Sequence, residues 1–180
     1  PPDDGLYPIR GVVLFGLAEM ERARRFAAEM KAGRIEELGR LMNISHDGDR
    51  VISIAADGSE RPYRAPTSND YIRSLIDDLE SGNLDRAKRA QLQWQPGSYH
   101  CSLPEIDRMV HISRQTKGVV GAQLAGAGLG GCMMVLAHRD AVSNLVTNLT
   151  QHFYHPHAKA PTILVCRPVA GCDVLMRNAW

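Results

Sequence analysis

The chain has 180 residues, 44% of them hydrophobic and 23% charged, a composition typical of one globular domain rather than of a disordered chain. The formal net charge is +1 and the basic residues are spread along the sequence, so nothing indicates nucleic acid or a membrane as a partner. Apolar runs fall short of the ~20 residues that cross a bilayer, and the N-terminus does not resemble a signal peptide. We therefore expect a cytoplasmic protein.

Two helices are predicted at the start of the chain. Between Phe15 and Met30 apolar residues recur at helical spacing, which predicts a long amphipathic helix. The apolar positions are Met20, Ala23, Phe26, Ala27 and Met30. Basic residues of this helix, including Arg22, alternate with glutamates and are expected to form a solvated face. Gly33 ends the helix, and a second helix follows that is expected to end near residues 43–46.

Residues 47–98 are more polar and rich in turn signals. They contain one short strand candidate, VISIA, and one helix candidate from Tyr71 to Leu79, and we interpret the segment as an excursion from the core. Ser102 and Glu105 have the spacing of a capping box around Pro104, which predicts the start of another helix.

Strands are predicted at Val119–Leu124 and Cys132–Ala137, on either side of a glycine-rich stretch. A helix is expected after Asp140, and Thr162–Cys166 is expected to form a further strand. This order of elements favours an α+β fold in which helices cover one face of an antiparallel sheet.

The glycine-rich stretch contains the strongest candidate binding residues: Gly126, Gly128, Gly130 and Gly131. Glycine permits positive φ and has no Cβ, so these residues can form a turn whose N–H groups face outward toward a phosphate or another anion. A tight strand connection that only permits close packing explains the same residues, because a short glycine pattern is a weak signal.

The cysteines and histidines do not form a recognisable metal site. Cys101, Cys132, Cys166 and Cys172 are widely spaced without a CxxC motif, and we expect reduced, buried thiols, with Cys132 in the core. His152, His155 and His157 lie close together in the sequence, but they lack acidic or cysteine partners at ligand spacing. A polar loop that closes a helix explains them as well as zinc does, and we predict no metal site.

Three segments of the chain resemble the C-terminal half of galactokinases, which belong to the GHMP family of small-molecule kinases. They are LMNISH at 41–46, SYHCSLPEIDRMV at 98–110 and GVVGAQLAGAGLGGCMMVL at 118–136. They stand in the family's order, and the resemblance covers about Phe15 to Cys172. It implies a single domain, residues 1–180, with a ferredoxin-like antiparallel sheet and helices packed on one face. The SH motif and the counterpart of residues 98–104 lie only a few residues apart in that family, so about 47–95 is expected to be an insertion.

The resemblance also implies a function. The parent protein would be an ATP-dependent sugar kinase that phosphorylates the anomeric hydroxyl of galactose or a related sugar. The four glycines would lie near the nucleotide phosphates and the sugar, and Ser45 and His46 would support the cleft. Ala125 and Leu129 stand where the family usually has threonine and an aromatic residue, which leaves the choice of sugar open.

By the same resemblance, this chain lacks the N-terminal lobe, which is therefore its expected partner. That lobe would provide most contacts to ATP and Mg²⁺ and the catalytic carboxylate, so we expect no catalytic residue in this chain and no activity from it alone. Two other hypotheses stay open: a galactokinase-like sensor without turnover that uses the insertion as a partner surface, and an unrelated ferredoxin-like regulatory domain that binds a small ligand at the glycines. The sequence does not indicate an oligomeric state.

Overall fold

The computed structural model describes residues 7–126 and 132–167 of the chain. The secondary structure in these ranges is mainly helical, with two short hairpins. The elements are α1 (Ile9–Lys31), α2 (Ile35–Asp49), β1 (Ile52–Ile54), β2 (Glu60–Pro62), α3 (Asn69–Glu80), α4 (Leu84–Ala90), α5 (Pro104–Gln115), β3 (Val119–Ala125), β4 (Cys132–Ala137) and α6 (Val142–Leu149). No helix within these ranges is both long and apolar enough to cross a membrane.

The first two helices confirm the sequence prediction in type but not in burial. Helix α1 starts six residues before Phe15, and its buried residues are Gly11, Ala18 and Arg22. Met20 and Met30, which were predicted to lie on the apolar face, are exposed, whereas Arg22 is buried instead of solvated. Helix α2 continues past residues 43–46 to Asp49, so Ser45 and His46 lie within it rather than at its end.

Strands β3 and β4 form an antiparallel hairpin, as the sequence predicts. Ala122 pairs with Val135 and Leu124 with Met133, so these four side chains share one face of the hairpin. Helix α5 packs on this face through Ile106 and Val110, and α6 packs in turn on α5. The small hydrophobic core of the described residues therefore lies between α5 and the hairpin.

Helix α2 packs along β3 at the edge that β4 does not pair. Ala122 and Leu124 direct their backbone N–H groups away from β4 and toward side chains of α2. The close approach is possible because two glycines meet at the crossing: a Cβ on Gly121 would lie 2.6 Å from the Cα of Gly39. The α+β class is confirmed. The prediction that helices cover one face of the sheet describes α5, which packs on the face with Ala122 and Leu124, but it does not describe α2.

Two local predictions are wrong. Ser102 does not cap α5, because the N-cap residue is Leu103 and the Ser102 hydroxyl donates to the side chain of Asp107 instead. Thr162–Cys166 is not a strand in the structure, and Leu164 within it is 86% exposed. A segment rich in β-branched and apolar residues forms a strand only where a neighbouring strand pairs with it. Local propensity does not show whether such a partner is present.

Residues 47–95 contain the end of α2, the β1–β2 hairpin, α3 and α4. Strand β1 pairs antiparallel with β2, and α3 is capped by the Ser68 hydroxyl, which accepts from the N–H of Tyr71. None of the residues of α3 is buried. The segment contacts the rest of the protein at both ends, through the backbone of Ile52 at one end and of Gln95 at the other.

Candidate functional site

The tip of the β3–β4 hairpin is the centre of the candidate site. The last pair of the hairpin joins Ala125 to Cys132, and Gly126 follows with φ +79. A Cβ at Gly126 would meet no atom of the described residues within 4 Å, and its positive φ is the feature that favours glycine at this position. Gly128, Leu129, Gly130 and Gly131 lie outside the described residues, and the anion-binding turn therefore remains a prediction.

His46 connects α2 to the strand that leads into this tip. Its Nδ1 accepts a hydrogen bond from the backbone N–H of Leu124 (3.3 Å), and its Nε2 lies 3.3 Å from Oδ1 of Asp107. An imidazole that accepts at Nδ1 and donates at Nε2 is the neutral tautomer. Because both nitrogens are engaged and the side chain is only 1% exposed, His46 holds β3 in place and is not positioned as a general base.

Asp107, in the first turn of α5, is the most highly connected side chain of the site. Its Oδ1 accepts from the Ser102 hydroxyl (2.6 Å) and its Oδ2 accepts from the backbone N–H groups of Val51 (2.8 Å) and Ile52 (2.9 Å). Burial alone would raise the pKa of Asp107, but hydrogen bonds from His46, Ser102, Ile52 and Val51 hold it below its ordinary value. The side chain is therefore a buried carboxylate that joins four segments of the chain.

Asn43 and Arg114 extend this network along the edge of β3. Asn43 Oδ1 accepts from the backbone N–H of Ala122 (3.0 Å). Arg114, at the end of α5, donates to the backbone carbonyl of Asn43 (2.6 Å), to that of Ala122 (3.3 Å) and to Asp47 (2.9 Å). Side chains of α2 and α5 thus form hydrogen bonds with the outer edge of β3. They hold this edge as a neighbouring strand would do in a larger sheet.

This network can position a backbone but cannot carry out chemistry on a bound substrate. Its ionisable groups, His46 and Asp107, are buried and bonded to each other. Among the described residues at the tip, Cys132 is exposed and takes no part in this network. The arrangement is that of a rigid support behind a glycine-rich connection.

A second buried cluster joins α1 and α2. The Cys101 thiol donates to Oδ1 of Asp49 (3.1 Å), and buried Arg22 donates to the backbone carbonyls of Gln93 (3.2 Å) and Gln95 (2.9 Å). Burial and the nearby charge of Glu19 raise the pKa of Asp49 to about 6, although the hydrogen bond from Cys101 and the charge of Arg22 act in the opposite direction. Burial and the contact with Asp49 raise the pKa of Cys101 to about 12, so this thiol is not activated as a nucleophile.

The raised pKa of Asp49 predicts a dependence of stability on pH. In the unfolded chain this carboxyl ionises near 3.8, and in the folded chain it ionises near 6. The folded state therefore loses stability as the pH rises from about 4 through about 6, by at most about 3 kcal/mol. We expect Asp49→Asn to raise the free energy of unfolding by about 1–3 kcal/mol at pH 8 and to change it little at pH 4. Urea unfolding at both pH values measures this, and an equal effect of the substitution at both would contradict it.

The structure does not confirm the predicted burial of the cysteine thiols. Cys101, Cys132 and Cys166 are free, but Cys101 is only half-buried, and Cys132 and Cys166 are exposed. Cys132 is not part of the core, because it stands at the open end of β4 on the face of the hairpin away from α5. Cys172 lies outside the described residues.

Comparison with known proteins shows what this chain is similar to. Residues 75–155 match the family model of the GHMP kinase C-terminal domain. The chain is 30% identical to a galactokinase of Roseiflexus sp. over 172 residues, 96% of this chain and 32% of that protein. It is 28% identical to a galactokinase of Streptococcus suis over 174 residues, 90% of this chain and 44% of that protein. A galactokinase of Streptococcus mutans is 31% identical over 147 residues, 80% of this chain and 38% of that protein.

This chain carries a GHMP kinase C-terminal domain related to that of galactokinases. The predicted resemblance to the C-terminal part of galactokinases is confirmed, since the matches cover most of the chain. The chain spans 32% of the length of the first of these relatives and 44% of the second.

The structure brings together some of the predicted site residues. His46 contacts Leu124, two residues before Gly126, and Ala125 ends the strand between them. Ser45 is buried in α2. Sequence patterns did not single out Asn43, Asp107 or Arg114, although the first two lie inside segments that carry the resemblance. The spacing of Asn43 was the signal that could have identified it, because this polar residue lies on the same helical face as Gly39 and His46.

Proposed function

We propose that this chain is the C-terminal lobe of an ATP-dependent, galactokinase-like kinase that phosphorylates the anomeric hydroxyl of galactose or a related sugar. The similarity to galactokinases over 96% of the chain carries this proposal. The support of β3 by His46 and Asn43 agrees with it, because phosphoryl transfer depends on the exact placement of donors around the phosphates. Such a kinase would act in the cytoplasm.

The chain's own residues fit part of an ATP site. Gly126, with its positive φ, begins a connection whose backbone N–H groups would face the phosphates, and Gly128, Gly130 and Gly131 would continue it. The described residues fit Mg²⁺ poorly, because they contain no group of three His, Cys, Asp or Glu side chains that could hold a metal. The proposal therefore assigns Mg²⁺, the catalytic carboxylate and most ATP contacts to an N-terminal lobe, and no activity to this chain alone.

We further propose that residues 1–180 form one domain with a ferredoxin-like sheet and an insertion at about 47–95. The order α5, β3, β4, α6 agrees with such a sheet, and the lack of buried residues in α3 agrees with an insertion. The family-model match begins at residue 75, so only the first part of that segment lies outside it.

Release of ADP by the intact polypeptide, with ATP and Mg²⁺, tests the proposed reaction. The panel of substrates is galactose, galacturonate, arabinose, glucose and mevalonate, because Ala125 and Leu129 leave the sugar open. We expect release that depends on one of the sugars. Nucleotide binding without release for any sugar would contradict the kinase and favour a sensor.

Substitution of Gly126 tests the role of the hairpin tip in the same assay. Gly126→Ala forces a side chain into φ +79, and we expect kcat/KM to fall at least tenfold, or about 1.4 kcal/mol. Gly58→Ala is the matched control, because Gly58 has φ +81, also faces open space and lies in the β1–β2 turn. Equal activity of the two variants would contradict a role for the tip in substrate binding.

A further inference from the structure

Helix α1 has an apolar stripe that the rest of the described protein leaves exposed. Ile9, Val13, Leu17 and Met20 are spaced three or four residues apart and share one face, and all of them are exposed. Gly11, Ala18 and Arg22 form the buried face on the other side. The first half of α1 is therefore apolar nearly all round, a pattern typical of a helix that is covered on both sides.

Helix α3 continues this apolar surface. Arg10, Val13, Leu17 and Ile72 help to line a groove of about 460 Å³ between α1 and α3. Ile76 and Leu79 follow Ile72 at helical spacing and are exposed. We define the α1–α3 surface as the half-buried Ile72 together with six exposed apolar residues of the two helices: Ile9, Val13, Leu17, Met20, Ile76 and Leu79. A contiguous apolar surface of this kind is typical of a binding interface.

The comparisons indicate what covers this surface. The matched family model is that of a C-terminal domain, and the chain covers only 32% of the Roseiflexus galactokinase, so most of that relative lies outside the matched part. Helix α1 is the first element of the described residues, and Arg10 in its first turn lines the groove. A preceding lobe would be connected to the chain beside this groove, which gives it a high effective concentration there.

We propose that the α1–α3 surface is the docking surface for the N-terminal lobe of the same polypeptide. The inference rests on the proposed function, because it requires a preceding kinase lobe, but it does not require turnover. The lobe presents an apolar strip that fills the groove. Arg10 and Arg73 border the groove, so carboxylates are expected beside that strip.

Thiol labelling of the intact polypeptide tests this inference. Val13→Cys and Ile76→Cys introduce thiols in the surface, and Leu84→Cys on α4 is the matched control outside it. These positions are 52%, 47% and 76% exposed in the chain alone, a difference of less than twofold. The rate of reaction with iodoacetamide is measured for each cysteine by mass spectrometry of peptides, with native Cys166, which is exposed, as an internal reference.

We expect both surface thiols to react at least tenfold more slowly than the control, at any protein concentration. Rates within a few-fold of the control would overturn the inference. Protection that disappears on dilution would also overturn it, because it would assign the surface to a second copy of the chain. ADP release is measured on the same samples: protected thiols without sugar-dependent release would contradict the kinase alone, and release with reactive thiols would contradict the docking surface alone.

Discussion

Asp107→Ala is expected to lower the free energy of unfolding by about 3–5 kcal/mol, because it removes the carboxylate on which four hydrogen bonds converge. The substitution leaves the hydroxyl of Ser102, the Nε2–H of His46 and the N–H groups of Val51 and Ile52 without their acceptor. A loss of this size is a large fraction of the stability of a typical domain. Equilibrium urea unfolding followed by circular dichroism measures it.

Two further variants separate the role of the buried carboxylate from a general effect of charge. Asp77→Ala removes an exposed carboxylate of α3 and should change stability by less than about 0.5 kcal/mol. Asp107→Asn keeps the shape and should show a smaller loss than alanine. Because the pKa of Asp107 is lowered in the folded state, its contribution is complete above the ordinary value near 3.8 and disappears as the pH falls below it. A loss in Asp107→Asn that is the same at pH 3 and pH 7 would argue against this.

The secondary structure was largely predictable because local patterns determine it. The limits of β4 agree with the predicted Cys132–Ala137, and α3 extends only slightly beyond the predicted Tyr71–Leu79. In both cases the apolar periodicity and the flanking turn residues are contained in the segment itself. The strand predicted at Thr162–Cys166 shows the limit of such patterns, because strand formation also needs a partner.

Burial and partners were harder to predict because they depend on residues far apart in the chain. The charge pattern of α1 gave no sign that Arg22 is buried against the carbonyls of Gln93 and Gln95, 71 and 73 residues away. Helical periodicity placed Met20 on an apolar stripe, but it could not show that a second stripe through Ala18 faces the protein. Periodicity identifies apolar faces and does not say which neighbour covers each of them.

The same distinction applies to the candidate site. The segments that contain His46 and Asp107 were singled out by resemblance, but their mutual contact joins residues 61 positions apart and needs the folded arrangement of α2 and α5. The hydrogen bond from Leu124 to Nδ1 then decides the tautomer of His46, which no sequence pattern reports. Structural support for β3 therefore follows from the fold, whereas the proposed phosphate contacts follow from the glycines and the relatives.

Gly39→Ala is expected to destabilise the protein by about 2–4 kcal/mol, although alanine normally favours a helix over glycine. A Cβ at Gly39 would lie 2.2 Å from the carbonyl oxygen and 2.5 Å from the carbonyl carbon of Val120. These are backbone atoms of β3, so the clash is relieved only if α2 moves away from the strand. Asn43 and His46 lie on the same face of α2 as Gly39, and their bonds to β3 would lengthen with that movement.

Gly16→Ala provides the matched control for this prediction. Gly16 lies in α1, and a Cβ there would have no atom of the described residues within 4 Å, so the comparison is made on this chain without a docked lobe. With no clash to oppose it, the intrinsic preference of alanine for the helix should stabilise the protein by about 0.5–1 kcal/mol. Urea unfolding of both variants should therefore give changes of opposite sign. If Gly39→Ala were as stable as Gly16→Ala, the close crossing of α2 and β3 would be wrong, and with it the proposed support of the hairpin tip by α2.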